Sequence, residues 1–405
     1  LTINDLVNKY CKNPKKILRL DDNYGLDSYM DVNMDKKWII SNDLLKTKAQ
    51  WTPFDGLEVQ GSIEHVVLNG NGINVNIFKH EKVKPNISSP INEISTFVTK
   101  ETHYNFTSII DVEQFNKKNL RYLFNEALKI KNDVKNKKII DNVIKGKTVC
   151  MLFDEPSTRT YCSFATAVHK LGGNVVTLNS DNSSIEKGES LYDTLKCLEN
   201  YCDLVIIRTK HKGVLKDLTN KIKIPIINAG DGDGEHPTQA LLDVFTIREE
   251  RGTVNNSIIS IVGDVVHGRT VHSLVKLLGN YNVKYKFACQ NKNIGLIDTY
   301  LNNNKISYEV FDNIDDVIEN VNVIYMTRLQ KERMTIEEVC VSNGKLNLDQ
   351  NKLSRAECDT IIMHPLPRND ELHEDIDTDP RASYFRQMEN GLYIRMALIK
   401  NLLNK

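Results

Sequence analysis

Thr148-Val149-Cys150-Met151-Leu152-Phe153 runs directly into Asp154-Glu155-Pro156-Ser157-Thr158-Arg159-Thr160. The first six residues are almost wholly apolar and too few for a helix. That predicts a strand buried on both faces. The next seven are polar. Phe164, Ala165, Ala167, Val168 and Leu171 then mark one face of a helix. Ser and Thr suit its N-terminus. Backbone N–H groups, hydroxyls and the Arg159 guanidinium therefore converge at a strand end, which makes an anion site suited to phosphate. Taken alone, the stretch also admits a simpler reading: Ser157 caps the helix and Arg159 is solvated.

The pattern repeats along the chain. Short apolar strands are expected at 204–207, 224–227, 257–262, 283–288, 323–326 and 360–363, alternating with helical stretches. Asp111 with Gln114 resembles a capping box, and Phe115, Leu120, Leu123, Phe124, Ala127 and Leu128 share a helical face. Strand–helix alternation implies α/β architecture: two doubly wound parallel-sheet domains, each covered on both faces. Ligands then belong beyond the C-terminal ends of the strands.

Four more polar loops stand at such ends. Asn228-Ala229-Gly230-Asp231-Gly232-Asp233-Gly234-Glu235-His236-Pro237-Thr238-Gln239 has glycines for close backbone approach, with His236 and Gln239 flanking a Pro at a helix start. It fits neither the dinucleotide nor the P-loop fingerprint. Gly263 to His272 carries Arg269; His267 and His272 are spaced wrongly for a metal pair on one helical face. Tyr325-Met326-Thr327-Arg328-Leu329-Gln330-Lys331-Glu332-Arg333 and Met363-His364-Pro365-Leu366-Pro367-Arg368 complete the set. One basic loop reads as solvated surface. Five at strand ends read as a site of cations and neutral donors for anionic substrates, with no metal cluster evident.

The 405 residues predict two to four domains at roughly 100–200 residues each. Lys+Arg and Asp+Glu are both 53, and the balance argues against nucleic-acid or membrane-surface binding. No stretch approaches the ~20 apolar residues of a membrane span. The eight cysteines are scattered, several in apolar runs, and fit a reducing cytoplasm. The start at Leu1, with no signal segment after it, gives the expectation of a piece cut from a longer polypeptide. Residues 1–80 read as a small β-rich segment. Leu57 to Val67 alternates, Asn69-Gly70-Asn71-Gly72 signals a turn, and Ile73, Val75 and Ile77 alternate again. Residues 81–105, with Pro85 and Pro90, read as a linker.

From about residue 106 onward, the five loops in this order and spacing resemble the aspartate carbamoyltransferase family. The resemblance implies transfer of the carbamoyl group of carbamoyl phosphate to the amino group of L-aspartate, giving N-carbamoyl-L-aspartate and phosphate in pyrimidine biosynthesis, with no cofactor and no metal. It implies a carbamoyl-phosphate domain at 106–245, completed by a C-terminal helix at 386–405, and an aspartate domain at 246–385. Ser157, Thr158, Arg159 and Thr160 match the phosphate cradle, and Arg208 a further phosphate ligand. His236 and Gln239 match contacts to the carbamoyl group, and Pro365 and Leu366 the backbone carbonyls facing it. Arg269, Arg328 and Gln330 match the aspartate-binding set. Ser184 and Lys187 match a loop that reaches a neighbouring subunit's site, which implies a homotrimer. The catalytic group expected from this is Arg159, Thr160, His236 and Lys187. Residues 1–80 resemble the C-terminal end of the dihydroorotase domain of animal-type multifunctional pyrimidine-biosynthesis proteins, on Asn13-Pro14-Lys15-Lys16-Ile17 and Lys48-Ala49-Gln50-Trp51-Thr52-Pro53-Phe54-Asp55-Gly56. Other domains of such a parent chain are then partners. With no H-x-H pair, this piece is expected to be catalytically silent.

Three alternatives are open. An ornithine carbamoyltransferase would need acids around a cationic acceptor, whereas Arg269 and Arg328 supply cations. A non-catalytic scaffold would not need the motif residues that stand here. Dihydroorotase activity lacks its metal ligands.

Overall fold

The computed structural model describes residues 29–39, 58–68, 71–73, 106–138, 140–179, 187–328 and 344–404. The chain forms two compact units, Leu1–Thr102 and His103–Lys405. In the first, β1 (Tyr29–Ile39) pairs antiparallel with β2 (Glu58–Leu68), which pairs antiparallel with β3 (Asn71–Ile73). Leu68 opposes Asn71, so Asn69-Gly70 alone connects β2 to β3, as the hairpin reading expects. The sequence reading did not include β1. The expected strand positions Val75 and Ile77 and the linker at 81–105 lie outside the described residues.

The second unit holds two parallel sheets. One has the order β5-β4-β6-β7, from β4 (Thr148–Phe153), β5 (Asn174–Asn179), β6 (Leu204–Thr209) and β7 (Ile226–Asp231). The other has the order β10-β9-β8-β11-β12, from β8 (Ile258–Val262), β9 (Lys284–Ala288), β10 (Tyr308–Phe311), β11 (Val323–Met326) and β12 (Ile361–Met363). The helices are α1 (Lys117–Lys135), α2 (Thr158–Lys170), α3 (Leu191–Leu198), α4 (Val214–Leu218), α5 (Pro237–Arg251), α6 (Arg269–Leu278), α7 (Leu296–Asn303), α8 (Gln350–Leu353) and α9 (Tyr384–Leu403).

The strands lack polar alternation because both faces are covered. On β4, Val149 and Met151 join one core while Cys150 and Leu152 join another. On β11, Val323 and Tyr325 join the first core, and Ile324 and Met326 a third. The first core is thus shared by the two sheets and lies between them. Strand order reverses between β4 and β6 and again between β8 and β11, and such switch points are where α/β sheets bind ligands.

Helix α5 is the shared spine. Pro237 opens it at the first turn and Gly252, at φ 74°, closes it in the left-handed conformation. Every residue from Pro237 to Ile247 is buried. Helix α9 returns to pack on α1, α2 and α5.

Three sequence expectations change in detail. The strand expected at 224–227 is Ile226–Asp231, because Pro225 has no N–H to give the ladder. The capping box of Asp111 and Gln114 is real, but it closes a short 3-10 turn, and α1 starts after its own cap, Asn116. The cysteines are less buried than expected: Cys150 and Cys289 are buried, whereas Cys162, Cys197 and Cys358 are exposed.

Phe245 of α5 has its ring 5.5 Å from that of Phe124 on α1, and both are buried. Phe245→Ala is expected to destabilise the second unit by about 3–5 kcal/mol, read by urea unfolding. A loss below about 1 kcal/mol would mean that this spine is not a tightly packed element.

Candidate active site

A cavity of about 530 Å³ opens where the C-terminal ends of both sheets meet. Ser157, Thr158, Arg159 and Thr160 line it from the start of α2, and Arg208 from the end of β6. His236 and Gln239 line it from the start of α5. Arg269 lines it from the first residue of α6, Arg328 from just past β11, and Pro365 and Leu366 from the loop after β12. Lys187 is described but exposed, and it does not line this cavity. Ser184 and Gln330 lie outside the described residues.

Ser157 occupies the N-cap position of α2, yet its side chain makes no capping hydrogen bond. The simple capping reading therefore fails. The hydroxyl stands at a helix N-terminus beside Arg159, where an anion is favoured. Burial holds the Arg159 guanidinium below its usual value. Arg208 is pushed down to about 10, first by burial and next by the charge of Arg269. At about 10, Arg208 remains a cation at neutral pH.

Glu155 answers that charge. Its Oε2 accepts from Arg208 at 2.8 Å and from Arg269 at 3.1 Å. One carboxylate thus ties the end of β6 to the start of α6. Gly230 makes the approach possible. It has φ 122°, and a Cβ there would meet Arg208 Nη1 at 3.2 Å and Arg269 Cζ at 3.6 Å.

His236 is enclosed. Burial holds its imidazole well below the usual value, and the charges of Arg269, Arg208 and Arg395 act in the same direction. Its Nδ1 has no hydrogen-bond partner among the described residues. Its backbone N–H donates to Ser273 Oγ of α6 at 3.0 Å, and Ser273 donates to Glu235 at 2.6 Å. Lys276 also meets Glu235, at 2.5 Å. Helix α6 therefore holds the start of α5.

A second histidine, His364, shapes the loop after β12. Its Nδ1 accepts the Leu366 N–H at 2.7 Å, which leaves Nε2 to donate to Glu371 at 2.9 Å. Burial keeps this imidazole below its ordinary value. Leu366 is a non-glycine residue at φ 53°, a conformation that costs of order 1–3 kcal/mol and recurs at ligand sites. His364 and Glu371 hold it there. Sequence reasoning missed Glu155, Glu371 and the buried Arg395, another cavity residue, because none repeats a local pattern.

Comparison with known proteins follows the same division. The chain matches the aspartate/ornithine carbamoyltransferase carbamoyl-P binding domain over residues 107–249 and the Asp/Orn binding domain of the same family over 255–402. It is 40% identical to an aspartate carbamoyltransferase catalytic subunit of Methanobrevibacter smithii, over 74% of this chain and 96% of that protein. It is 39% identical to the multifunctional protein pyr1-3 of Dictyostelium discoideum over 98% of this chain, and it spans only 22% of that protein's length. Residues before the carbamoyltransferase region are thus shared with the multifunctional relative. A crystal structure of Trypanosoma cruzi aspartate transcarbamoylase in complex with N-(phosphonacetyl)-L-aspartic acid superposes with TM-score 0.69 at 36% identity, over 73% of this chain and 95% of that one. The catalytic subunit of M. jannaschii aspartate transcarbamoylase gives 0.70, again at 36% identity, over 74% and 98%.

The depressed His236 value has a direct consequence. The imidazole is expected to stay neutral, with constant ring chemical shifts by NMR, from pH 8 down to about 6. A titration midpoint near the ordinary value would show that the imidazole is not enclosed beside the arginines as described.

Proposed function

The chain belongs to the aspartate/ornithine carbamoyltransferase family, and on that premise we propose that it transfers the carbamoyl group of carbamoyl phosphate to the amino group of L-aspartate. One observation carries the reading: a helix-start anion site on one sheet and two arginines from the other line a single cavity. Carbamoyl phosphate and aspartate are both anions, and aspartate brings two carboxylates.

Ser157, Thr158, Arg159 and Thr160, with Arg208, hold the phosphate. Arg159, Thr160 and the neutral His236 donate to the carbonyl oxygen, whose charge grows in the transition state. One such donor is worth about 10²–10³ in rate. Gln239 and the carbonyls of Pro365 and Leu366 receive the carbamoyl NH2. Arg269, Arg328 and Gln330 hold the aspartate carboxylates. The unprotonated amine attacks the carbonyl carbon and a C–N bond forms. The C–O bond to phosphate then breaks, and phosphate leaves with that electron pair. The amine's surplus proton passes to the departing phosphate, which gains basicity as the bond breaks. The Arg208–Glu155–Arg269 bridge ties the two sheets together, so it also sets the spacing between the bound substrates.

Lys187 is exposed and lies off this chain's own cavity, which fits a role, with Ser184, in the site of a second copy. On that reading the chain is taken as a homotrimer, and its location as cytoplasmic. The two lobes are taken as 106–245 with 386–405, and 246–385. Residues 1–80 are taken as a silent end of a dihydroorotase domain within a longer multifunctional chain.

Arg269 and Arg328 in the acceptor pocket favour aspartate over ornithine, whose side chain is cationic. With labelled carbamoyl phosphate, aspartate is expected to be carbamoylated and ornithine not; the reverse would overturn the reading. Arg328→Ala is expected to raise the aspartate KM by about 10–100-fold. The carbamoyl-phosphate KM should stay within about threefold. Equal losses for both substrates would refute the assignment of Arg328.

A further inference from the structure

A carboxylate inside the buried helix α5 must find donors there or remain costly. Asp243 finds three. Its Oδ1 accepts from Gln239 Nε2 at 2.8 Å and from Gln387 Nε2 at 2.6 Å. Its Oδ2 accepts from the Tyr325 hydroxyl at 2.8 Å. Tyr325 is on β11 and Gln387 on α9, where its own oxygen accepts the His364 N–H at 2.9 Å. The carboxylate is therefore fixed from three elements and cannot swing.

Gln239 is the member of this set that lines the cavity. An amide presents an oxygen on one side and an NH2 on the other. Either could face a ligand, and the sequence does not say which. A carboxylate can only accept, so Asp243 selects the NH2 of Gln239 for itself and leaves the oxygen for the cavity. The carbamoyl group brings an NH2 of its own, which needs an acceptor. A flipped amide would set donor against donor.

We infer that Asp243 is a positioning residue, which locks the Gln239 amide with its oxygen toward the carbamoyl NH2. This rests on the proposed reaction. Tyr325 and Gln387 hold Asp243 in place, and Arg395 is the cation facing it, its Nε and Nη1 making no hydrogen bond among the described residues. Burial lifts the Asp243 carboxyl to about 7, and its three donors and Arg395 oppose that rise. Assay at pH 8 favours the ionised form.

The test is a double-mutant cycle on the full chain, with carbamoyl phosphate and aspartate as substrates. Asp243→Leu keeps the branched outline and removes the acceptors. It is expected to lower kcat by about 10–100-fold, because Gln239 is then free to turn. The affinity for inorganic phosphate, measured by calorimetry, is expected to stay within about threefold, since the cradle does not touch Asp243. In a Gln239→Ala background the same change is expected to cost less than about threefold. Asp243→Asn, which can still offer one oxygen to both glutamines and donate to Tyr325, should recover most of the rate. If Asp243→Leu does not fold, Asp243→Ala, which admits a water, takes its place in the cycle. Equal losses in both backgrounds, or full activity in the Leu variant, would overturn the inference. No transfer by the unaltered chain would overturn the proposed function and this inference with it; transfer with additive losses would overturn the inference alone.

Discussion

Five arginines (Arg159, Arg208, Arg269, Arg328 and Arg395) line one cavity of about 530 Å³. Like charges gathered in a partly buried space repel, and the depression of Arg208 to about 10 records both burial and that repulsion. The arrangement needs negative charge. Glu155 supplies one carboxylate, shared between Arg208 and Arg269. Two anionic substrates would supply the rest. Burial, reinforced by the same field that draws them in, holds the His236 imidazole well below its ordinary value, which suits it to act as a hydrogen-bonding group. Binding and catalysis thus draw on one concentration of positive charge.

Such a cluster needs a rigid frame, and the fold provides one. Both sheets present their C-terminal ends to the cavity, and the core between them is continuous. Helix α5 runs through that core and carries His236 and Gln239 at its start. Residues of α6 fix this start through Ser273 and Glu235, while α9 and β11 grip its middle at Asp243. A shift of one sheet against the other would pull on the bonds that reach α5 from α6 and from β11. The spacing of the two substrates is therefore a property of the whole second unit.

The interior strands and the loops at their ends were legible in the sequence. β4, β6, β8 and β11 are buried on both faces, so hydrophobic runs alone reveal them. The edge strands β5 and β10 were not, because Thr177 interrupts the apolar run on one and Glu309 on the other. Within the site, Ser157 to Thr160, His236 and Arg269 announced themselves as clustered polar groups after strands. Glu155, Asp243, Glu371 and Arg395 did not. Glu155 and Asp243 pair with residues far away in the chain, Arg395 faces Asp243 from another helix, and Glu371 meets a histidine seven residues before it; a lone acid or arginine looks the same in sequence whether it faces water or a buried amide.

The central claim is that one cavity holds both anions, each against its own set of cations. A crystal structure of the chain with inorganic phosphate and succinate tests it most directly. Phosphate is predicted against Ser157 to Thr160 and Arg208, and the dicarboxylate against Arg269 and Arg328, side by side in the same space. Phosphate and succinate bound in separate cavities, with Arg159 and Arg328 contacting neither in common space, would contradict the account.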